Sequence, residues 1–222
     1  NSQDFTVVGL LYGGLVRLDG DLKVIPELAE SWTVSDDGLK YTFTLRKGAA
    51  FADGTPITAG DFVWSVTHAL DPETGGWTGP FYLSNIKGAQ DVVDKKTKEL
   101  SGVVAVDDST IEITINQPSA YFLDQLTFGS AKIVSKKAAE ADPTGWENAP
   151  IASGPFAIKE WNHGQNIVLV PNEYYYQKPQ ITSLTMPFIQ DSETAYQLYR
   201  TDGLDIMGSQ QNGVPAVHLA DV

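Results

Sequence analysis

Alternating apolar and polar side chains predict a series of half-buried strands. Residues 41–46 read Tyr-Thr-Phe-Thr-Leu-Arg, with an apolar side chain at every second position. Asp36-Asp37-Gly38 just before them predicts a turn back from a strand at 32–34, because tight turns favour Asp and use Gly where φ is positive. The same signals predict two more hairpins. In one, residues 103–106 pair with 111–115, and in the other, residues 156–158 pair with 167–170. Further strands are predicted at 132–135, 187–189 and 204–207, the last one buried.

Helical spacing of apolar residues predicts helices between these groups of strands. Thr58 is the expected N-cap of the clearest one, with Asp61 three residues later as its capping partner. Its apolar residues fall on one stripe, and Asp71-Pro72 should end it. A helix within residues 5–18, followed by a strand, and shorter helices at 121–126 and 191–198 complete the pattern. Helices that separate strand groups indicate the α/β or the α+β class.

Residues 73–82 combine breakers with large aromatic side chains. The segment holds Gly75, Gly76, Gly79 and Pro80, so it predicts a loop with little regular structure. Its aromatic residues are Trp77, Phe81 and Tyr82. They could cover the edge of the core, or they could form a wall of a ligand cleft, where aromatic rings give apolar contact with little entropy to lose. The sequence leaves both interpretations open.

Composition and charge narrow the class of protein. The 222 residues are 42% hydrophobic and include 5 Trp, 9 Tyr and 9 Phe, so a folded core is expected and disorder is not. The formal net charge is −13, with no basic run, which argues against nucleic-acid binding and favours a monomer. Cysteine is absent, which removes disulfides, thiolate nucleophiles and Cys-based zinc sites from consideration. A lipoprotein anchor also needs a cysteine, so any such anchor is expected outside this sequence.

Sequence signatures of catalysis are missing. His68, His163 and His218 are not spaced as metal ligands, and the chain has no nucleophile elbow and no Gly-rich phosphate loop. The 28 Asp and Glu residues leave paired carboxylates as a catalytic alternative, although many of them occupy predicted turns. We therefore expect no catalytic residue, no metal and no cofactor.

A family resemblance is carried by motifs that run along nearly the whole chain. Residues 28–65 read LAESWTVSDDGLKYTFTLRKGAAFADGTPITAGDFVWS. Shorter motifs are Leu-Tyr-Gly-Gly-Leu at 11–15, Ser-Gly-Pro-Phe at 153–156 with Trp161, Asn-Glu-Tyr-Tyr at 172–175, Lys-Pro at 178–179 and Leu-Asp-Ile at 204–206. As an ordered set, these motifs closely resemble the family 5 solute-binding proteins, the peptide- and nickel-binding family of ABC importers.

The resemblance implies a fold and a division into domains. It implies the α/β periplasmic-binding-protein-like fold (class II, three-domain subgroup). Residues 1–15 and 141–222 would form an incomplete domain I, and residues 16–140 would form domain II, inserted in it. Domain III, the opposing lobe, would be missing from this chain, and an export signal would have been removed.

The resemblance also places three segments at a ligand cleft. Asn1, Ser2 and Gln3 would form an extended strand that pairs with the main chain of a peptide, a mode that tolerates many side chains. Trp77, Phe81 and Tyr82 would face the ligand from domain II. The polar loop Ser209, Gln210, Gln211 and Asn212 would line the floor, because amides both donate and accept hydrogen bonds.

The implied function is capture of short peptides or similar small polar solutes for delivery to the permease subunits of an ABC importer at the membrane. Such a carrier is not an enzyme, and it works in the periplasm or at the cell surface. Nickel chelates, oligosaccharides and opines stay open as ligands. The alternatives are a secreted glycoside hydrolase or carbohydrate-binding domain, suggested by Trp77, Trp146, Trp161 and the acidic residues, and a regulatory protein that uses the same binding domain.

Overall fold

The structure is a computed structural model that describes residues 2–74, 76–207 and 213–221. Its α-helices are α1 Ser2–Leu11, α2 Ala59–Leu70, α3 Thr78–Leu83, α4 Ala89–Val93, α5 Phe122–Gln125, α6 Lys136–Ala141 and α7 Ser192–Arg200. Its strands are β1 Val16–Leu18, β2 Val24–Pro26, β3 Ala29–Val34, β4 Lys40–Leu45, β5 Val103–Ala105, β6 Thr110–Thr114, β7 Phe156–Asn162, β8 Asn166–Pro171 and β9 Leu184–Pro187. Short 3-10 helices span Pro72–Thr74, Gly129–Ala131, Trp146–Asn148 and Ala216–Asp221.

The largest sheet is antiparallel, with strand order β3-β4-β6-β5. The alternation predicted for β4 is confirmed, because Tyr41, Phe43 and Leu45 are buried while the residues between them are not. Phe43 pairs with Ile111 on β6, so the apolar faces of both strands lie in register. The hairpin between β3 and β4 turns at Gly38, whose φ of +68° suits glycine.

Helix α2 covers this sheet, and its start follows the predicted capping pattern. Thr58 and Asp61 form a capping box, in which the Asp61 carboxylate accepts from the Thr58 backbone N–H at 2.9 Å. Phe62, Val66 and Leu70 on its apolar stripe are fully buried. This helix is therefore fixed at its N-terminus by local chemistry and along its length by core packing.

A separate three-stranded sheet, β7-β8-β9, lies beside helix α1. Two buried apolar clusters are found among the described residues. The first contains residues from Leu15 to Ile133 together with Tyr175, and the second is formed by Leu11, Ala152, Phe156, Ile167 and Leu169. Gly14, which lies between Leu11 of the second cluster and Leu15 of the first, pairs with Lys132 in an isolated antiparallel bridge.

Four expectations about secondary structure are wrong or displaced. Residues 77–82 are largely helical rather than a loop, since α3 starts at Thr78. Residues 132–135 form only the bridge at Lys132, and the strand expected at 187–189 ends at Pro187. Residues 204–207 are neither a strand nor buried, and Ile206 is 80% exposed. A strand needs a hydrogen-bonded neighbour, and within the described residues no strand lies beside this segment.

The described helices include none with the length and apolar character needed to cross a membrane.

Candidate functional site

A groove of about 530 Å³ lies between helix α1 and the wall formed by α3 and residues 127–132. Its lining residues are Thr6, Val8, Gly9, Trp77, Thr78, Tyr82, Thr127, Phe128, Gly129 and Lys132. Aromatic rings, hydroxyl groups and one ammonium group therefore meet in this groove. It is large enough to hold a small solute or a segment of a peptide.

Close packing against the end of α2 forms one wall of the groove. Gly79 in α3 sits so near the last turn of α2 that a Cβ at this position would lie 1.8 Å from the carbonyl oxygen of Ala69. Leu83, at the other end of α3, is fully buried. The glycine read as a loop signal is thus needed for helix–helix contact, which explains why sequence pattern alone mistook this short helix for a loop.

The aromatic side chains of this wall form a connected row. Tyr82 stacks on Phe128 with ring centroids 3.9 Å apart, and Phe81 meets Tyr82 edge-on at 4.9 Å. Trp77 is 68% exposed and Phe81 is 65% exposed. Trp77 and Tyr82 line the groove, whereas Phe81 adjoins them but is not among the lining residues. Their contact with a ligand stays a prediction.

One lining residue of the groove, Lys132, belongs to a buried ion pair that the sequence did not reveal. Lys132, whose side chain is 10% exposed, donates to Glu27 at 3.1 Å, and the Glu27 side chain is 4% exposed. Glu27 also accepts from the Gly14 backbone N–H at 2.7 Å and from the Tyr175 hydroxyl at 2.9 Å. Burial, followed by the Glu27 charge, raises the pKa of Tyr175 far above its ordinary value. No short-range motif links residues 27, 132 and 175, so no sequence signal pointed to this cluster.

Two predicted motifs, Leu-Tyr-Gly-Gly-Leu and Ser-Gly-Pro-Phe, meet behind the groove. The buried Ser153 hydroxyl accepts from the Gly13 N–H at 3.1 Å and donates to the Ile133 carbonyl at 2.5 Å. A Cβ on Gly154 would lie 2.8 Å from the main chain at Leu11 and Tyr12. Gly13, Gly154 and Ser153 therefore allow three chain segments, around residues 11–13, 133 and 153–154, to cross in close contact at the junction of the two cores.

The predicted N-terminal strand is contradicted for Ser2 and Gln3, which lie in helix α1. Residues 2–11 contain no proline, and Val7, Leu10 and Leu11 pack against the second core, so helix formation buries apolar surface here. Asn1 and the polar loop Ser209, Gln210, Gln211 and Asn212 lie outside the described residues. Their role at the cleft stays a prediction.

A second cavity of about 470 Å³ lies against α1 and the β7–β8 hairpin, where Leu11, Tyr12, Trp161 and Phe188 contribute to its lining. Burial, with a smaller contribution from the Glu147 charge, raises the pKa of Tyr12 well above its ordinary value. Its lining is mixed, since Glu147 and His163 lie beside the apolar residues.

The histidines make aromatic contacts. His68 stacks on Trp64 at 4.6 Å, His163 on Trp161 at 4.5 Å and His218 on Tyr196 at 4.2 Å. His218 also contacts the Glu193 carboxylate at 3.0 Å. Over residues 2–74, 76–207 and 213–221, no group of three His, Cys, Asp or Glu side chains is placed to hold a metal ion.

The family described as bacterial extracellular solute-binding proteins, family 5 (middle) matches residues 23–220. The chain belongs to this family, as its motifs predicted.

Individual relatives agree with this assignment. The chain is 32% identical over 197 residues to the dipeptide-binding protein DppE of Bacillus subtilis, covering 86% of this chain and 36% of that protein. It is 33% identical over 228 residues to the periplasmic murein peptide-binding protein MppA of Escherichia coli, covering 99% of this chain and 42% of that one. The crystal structure of Haemophilus influenzae OppA in complex with the peptide RPPGFSPFR superposes with a TM-score of 0.90 at 31% identity, covering 98% of this chain and 43% of that chain.

The superposition on the solved structure confirms the predicted periplasmic-binding-protein-like fold. The chain spans less than half the length of the relatives it matches.

Proposed function

We propose that this chain is part of the substrate-binding component of an ABC importer, which captures short peptides or similar small polar solutes and delivers them to permease subunits in the membrane. Membership of the solute-binding family supports the proposal. The observation that carries it is the groove itself, in which Trp77, Tyr82 and Phe128 face α1 beside one cationic side chain. Such a lining suits a ligand that has both apolar side chains and polar or charged groups.

The groove belongs, in this proposal, to a cleft between two lobes. Residues 1–15 and 141–222 contribute to one lobe, and residues 16–140 form the other. The separate apolar cores support this division, since the second core draws on residues from both ends of the chain. Leu15 and Tyr175 are exceptions, because both pack with the first core although they belong by sequence to the lobe that holds the second core.

Capture works by closure of the lobes around the ligand. A ligand that makes better contacts in the closed form shifts the population toward that form, and the closed form is the one that docks on the importer. The protein acts outside the cytoplasm as a monomer, without a cofactor, and it neither transforms its ligand nor binds nucleic acid.

Calorimetric titration of the natural protein at its full length tests this function. A panel of short peptides and a panel of oligosaccharides should be titrated, with mass spectrometry of each ligand before and after incubation. Saturable binding of peptides that are recovered unchanged is the expected result. Hydrolysis of a sugar would instead identify a carbohydrate-active enzyme, and binding of neither panel would contradict peptide capture.

A further inference from the structure

Lys132 is the one charged residue among the described residues that line the groove. Its ammonium group contacts Glu27, and within the described part of the chain this is the only acceptor recorded for it. An ammonium group carries three N–H donors, so two of them are left for other acceptors. Because the side chain is only 10% exposed, water has little access to satisfy them.

Glu27 does not depend on Lys132 for its hydrogen bonds. Its Oε2 atom accepts from the Gly14 N–H and its Oε1 atom accepts from the Tyr175 hydroxyl, at 2.7 and 2.9 Å. The carboxylate would therefore keep two partners if the ammonium group turned part of its hydrogen bonding toward a bound molecule. Lys132 can thus bind a second acceptor without leaving a bare buried carboxylate.

The surroundings of Lys132 strengthen its attraction for an anion. Its side chain passes over Gly14, where a Cβ would lie 3.4 Å from the ammonium nitrogen, so the absence of a side chain at Gly14 makes room for it. Phe128 and Tyr82 form the adjoining wall with their stacked rings. Apolar walls lower the local dielectric, and a lower dielectric makes a charge–charge contact stronger than in water.

We propose that Lys132 binds a carboxylate group of the captured ligand, which makes it a specificity-determining residue of the groove. This inference rests on the proposed function and specifies its ligand class: peptides that bring a carboxylate next to an apolar side chain. The apolar side chain would contact the Tyr82–Phe128 pair. The carboxylate could come from the C-terminus of the peptide or from an Asp or Glu side chain, and the test separates these two sources.

The test compares ligands that differ only in one charge, using the natural protein at its full length. Each bound peptide is titrated as the free acid and as the C-terminal amide, and separately with an internal Glu and with Gln in its place. In one of these two pairs, we expect the charged ligand to bind about tenfold or more tightly than its neutral counterpart. A charge-assisted hydrogen bond usually contributes that much to the affinity. The pair that responds identifies the source of the carboxylate.

Two variants should affect this preference differently. Lys132→Met removes the cation, so the ratio of acid to neutral affinity should fall close to one. Glu27→Gln removes the competing anion and keeps the cation, so the ratio should be retained or should rise. If Lys132→Met alone does not fold, the double variant Lys132→Met/Glu27→Gln removes both charges together and should also give a ratio close to one.

Several results would overturn the assignment. If the ratio in Lys132→Met matches that of the natural protein, the carboxylate is bound elsewhere. If both single variants weaken acid and neutral ligands alike, Lys132 has a purely structural role. If the natural protein binds peptides with no preference for the acid, the inference fails while the proposed function stands, whereas failure to bind any peptide contradicts the proposed function itself.

Discussion

The Tyr175 hydroxyl donates a buried hydrogen bond of 2.9 Å to Glu27, a residue 148 positions earlier in the chain. Tyr175 follows strand β8, yet its ring packs in the first core, while Glu27 lies between β2 and β3. The same carboxylate holds Lys132 in the wall of the groove. One buried acidic residue therefore joins the segment after β8 to the wall of the groove.

The first prediction concerns the stability of this junction. Tyr175→Phe keeps the ring but removes the donor to Glu27, so the free energy of unfolding should fall by about 1–3 kcal/mol, the usual cost of losing a hydrogen bond to a buried charged group. Urea denaturation measures the change. Tyr174→Phe is the matched control, because Tyr174 is half exposed and its hydroxyl should matter by no more than about 0.5 kcal/mol. Equal stability of the two variants would show that the bond contributes little.

The second prediction concerns alkaline pH. The pKa of Tyr175 is raised in the folded protein, chiefly by burial and then by the Glu27 charge, so the folded state holds this proton more tightly than the unfolded chain does. The resulting stability is fully present below about pH 10, the ordinary tyrosine pKa, and is lost as the pH rises above it. The stability gap between the natural protein and Tyr175→Phe should therefore narrow above about pH 10. A gap that stays constant in urea denaturation from neutral to alkaline pH would contradict the raised pKa.

The third prediction concerns the contact between α2 and α3. Gly79→Ala places a Cβ against the Ala69 carbonyl oxygen, a main-chain atom that cannot rotate away, so α3 has to move. Overpacking of this kind costs about 1–3 kcal/mol, and we expect the upper end of that range. Gly76→Ala is the control, because its Cβ would lie 3.6 Å from the Thr74 hydroxyl, an ordinary contact. If the two variants unfold at the same urea concentration, the close approach at Gly79 does not determine the stability of the fold.

Local patterns predicted those parts of the fold whose cause is local. The capping box of Thr58 and Asp61, the alternation around Phe43 and the turn at Gly38 each follow from a few neighbouring residues. The strand expected at 204–207 failed because apolar composition does not supply a pairing partner. Helix α3 was missed because packing on Ala69 outweighs the weak helix propensity of a segment with Gly79 and Pro80.

The candidate site was only partly foreseen, for the same physical reason. Trp77 and Tyr82 stood out because aromatic residues beside glycines are conspicuous in a sequence, and the structure brings both to the groove. Lys132 and Glu27 gave no such signal, because their pairing depends on a contact across 105 positions. Phe128 likewise becomes notable only through its stacking on Tyr82.

The fourth prediction separates ligand contact from folding at Trp77. This side chain is 68% exposed, so Trp77→Ala should change the free energy of unfolding by no more than about 0.5 kcal/mol. Because Trp77 lines the groove, the same change should weaken peptide binding by about tenfold, as measured by calorimetry. Tyr121→Ala is the matched control, since Tyr121 is 64% exposed and lies outside the lining. Equal affinities of the two variants would mean that the aromatic row covers the core edge and does not contact the ligand.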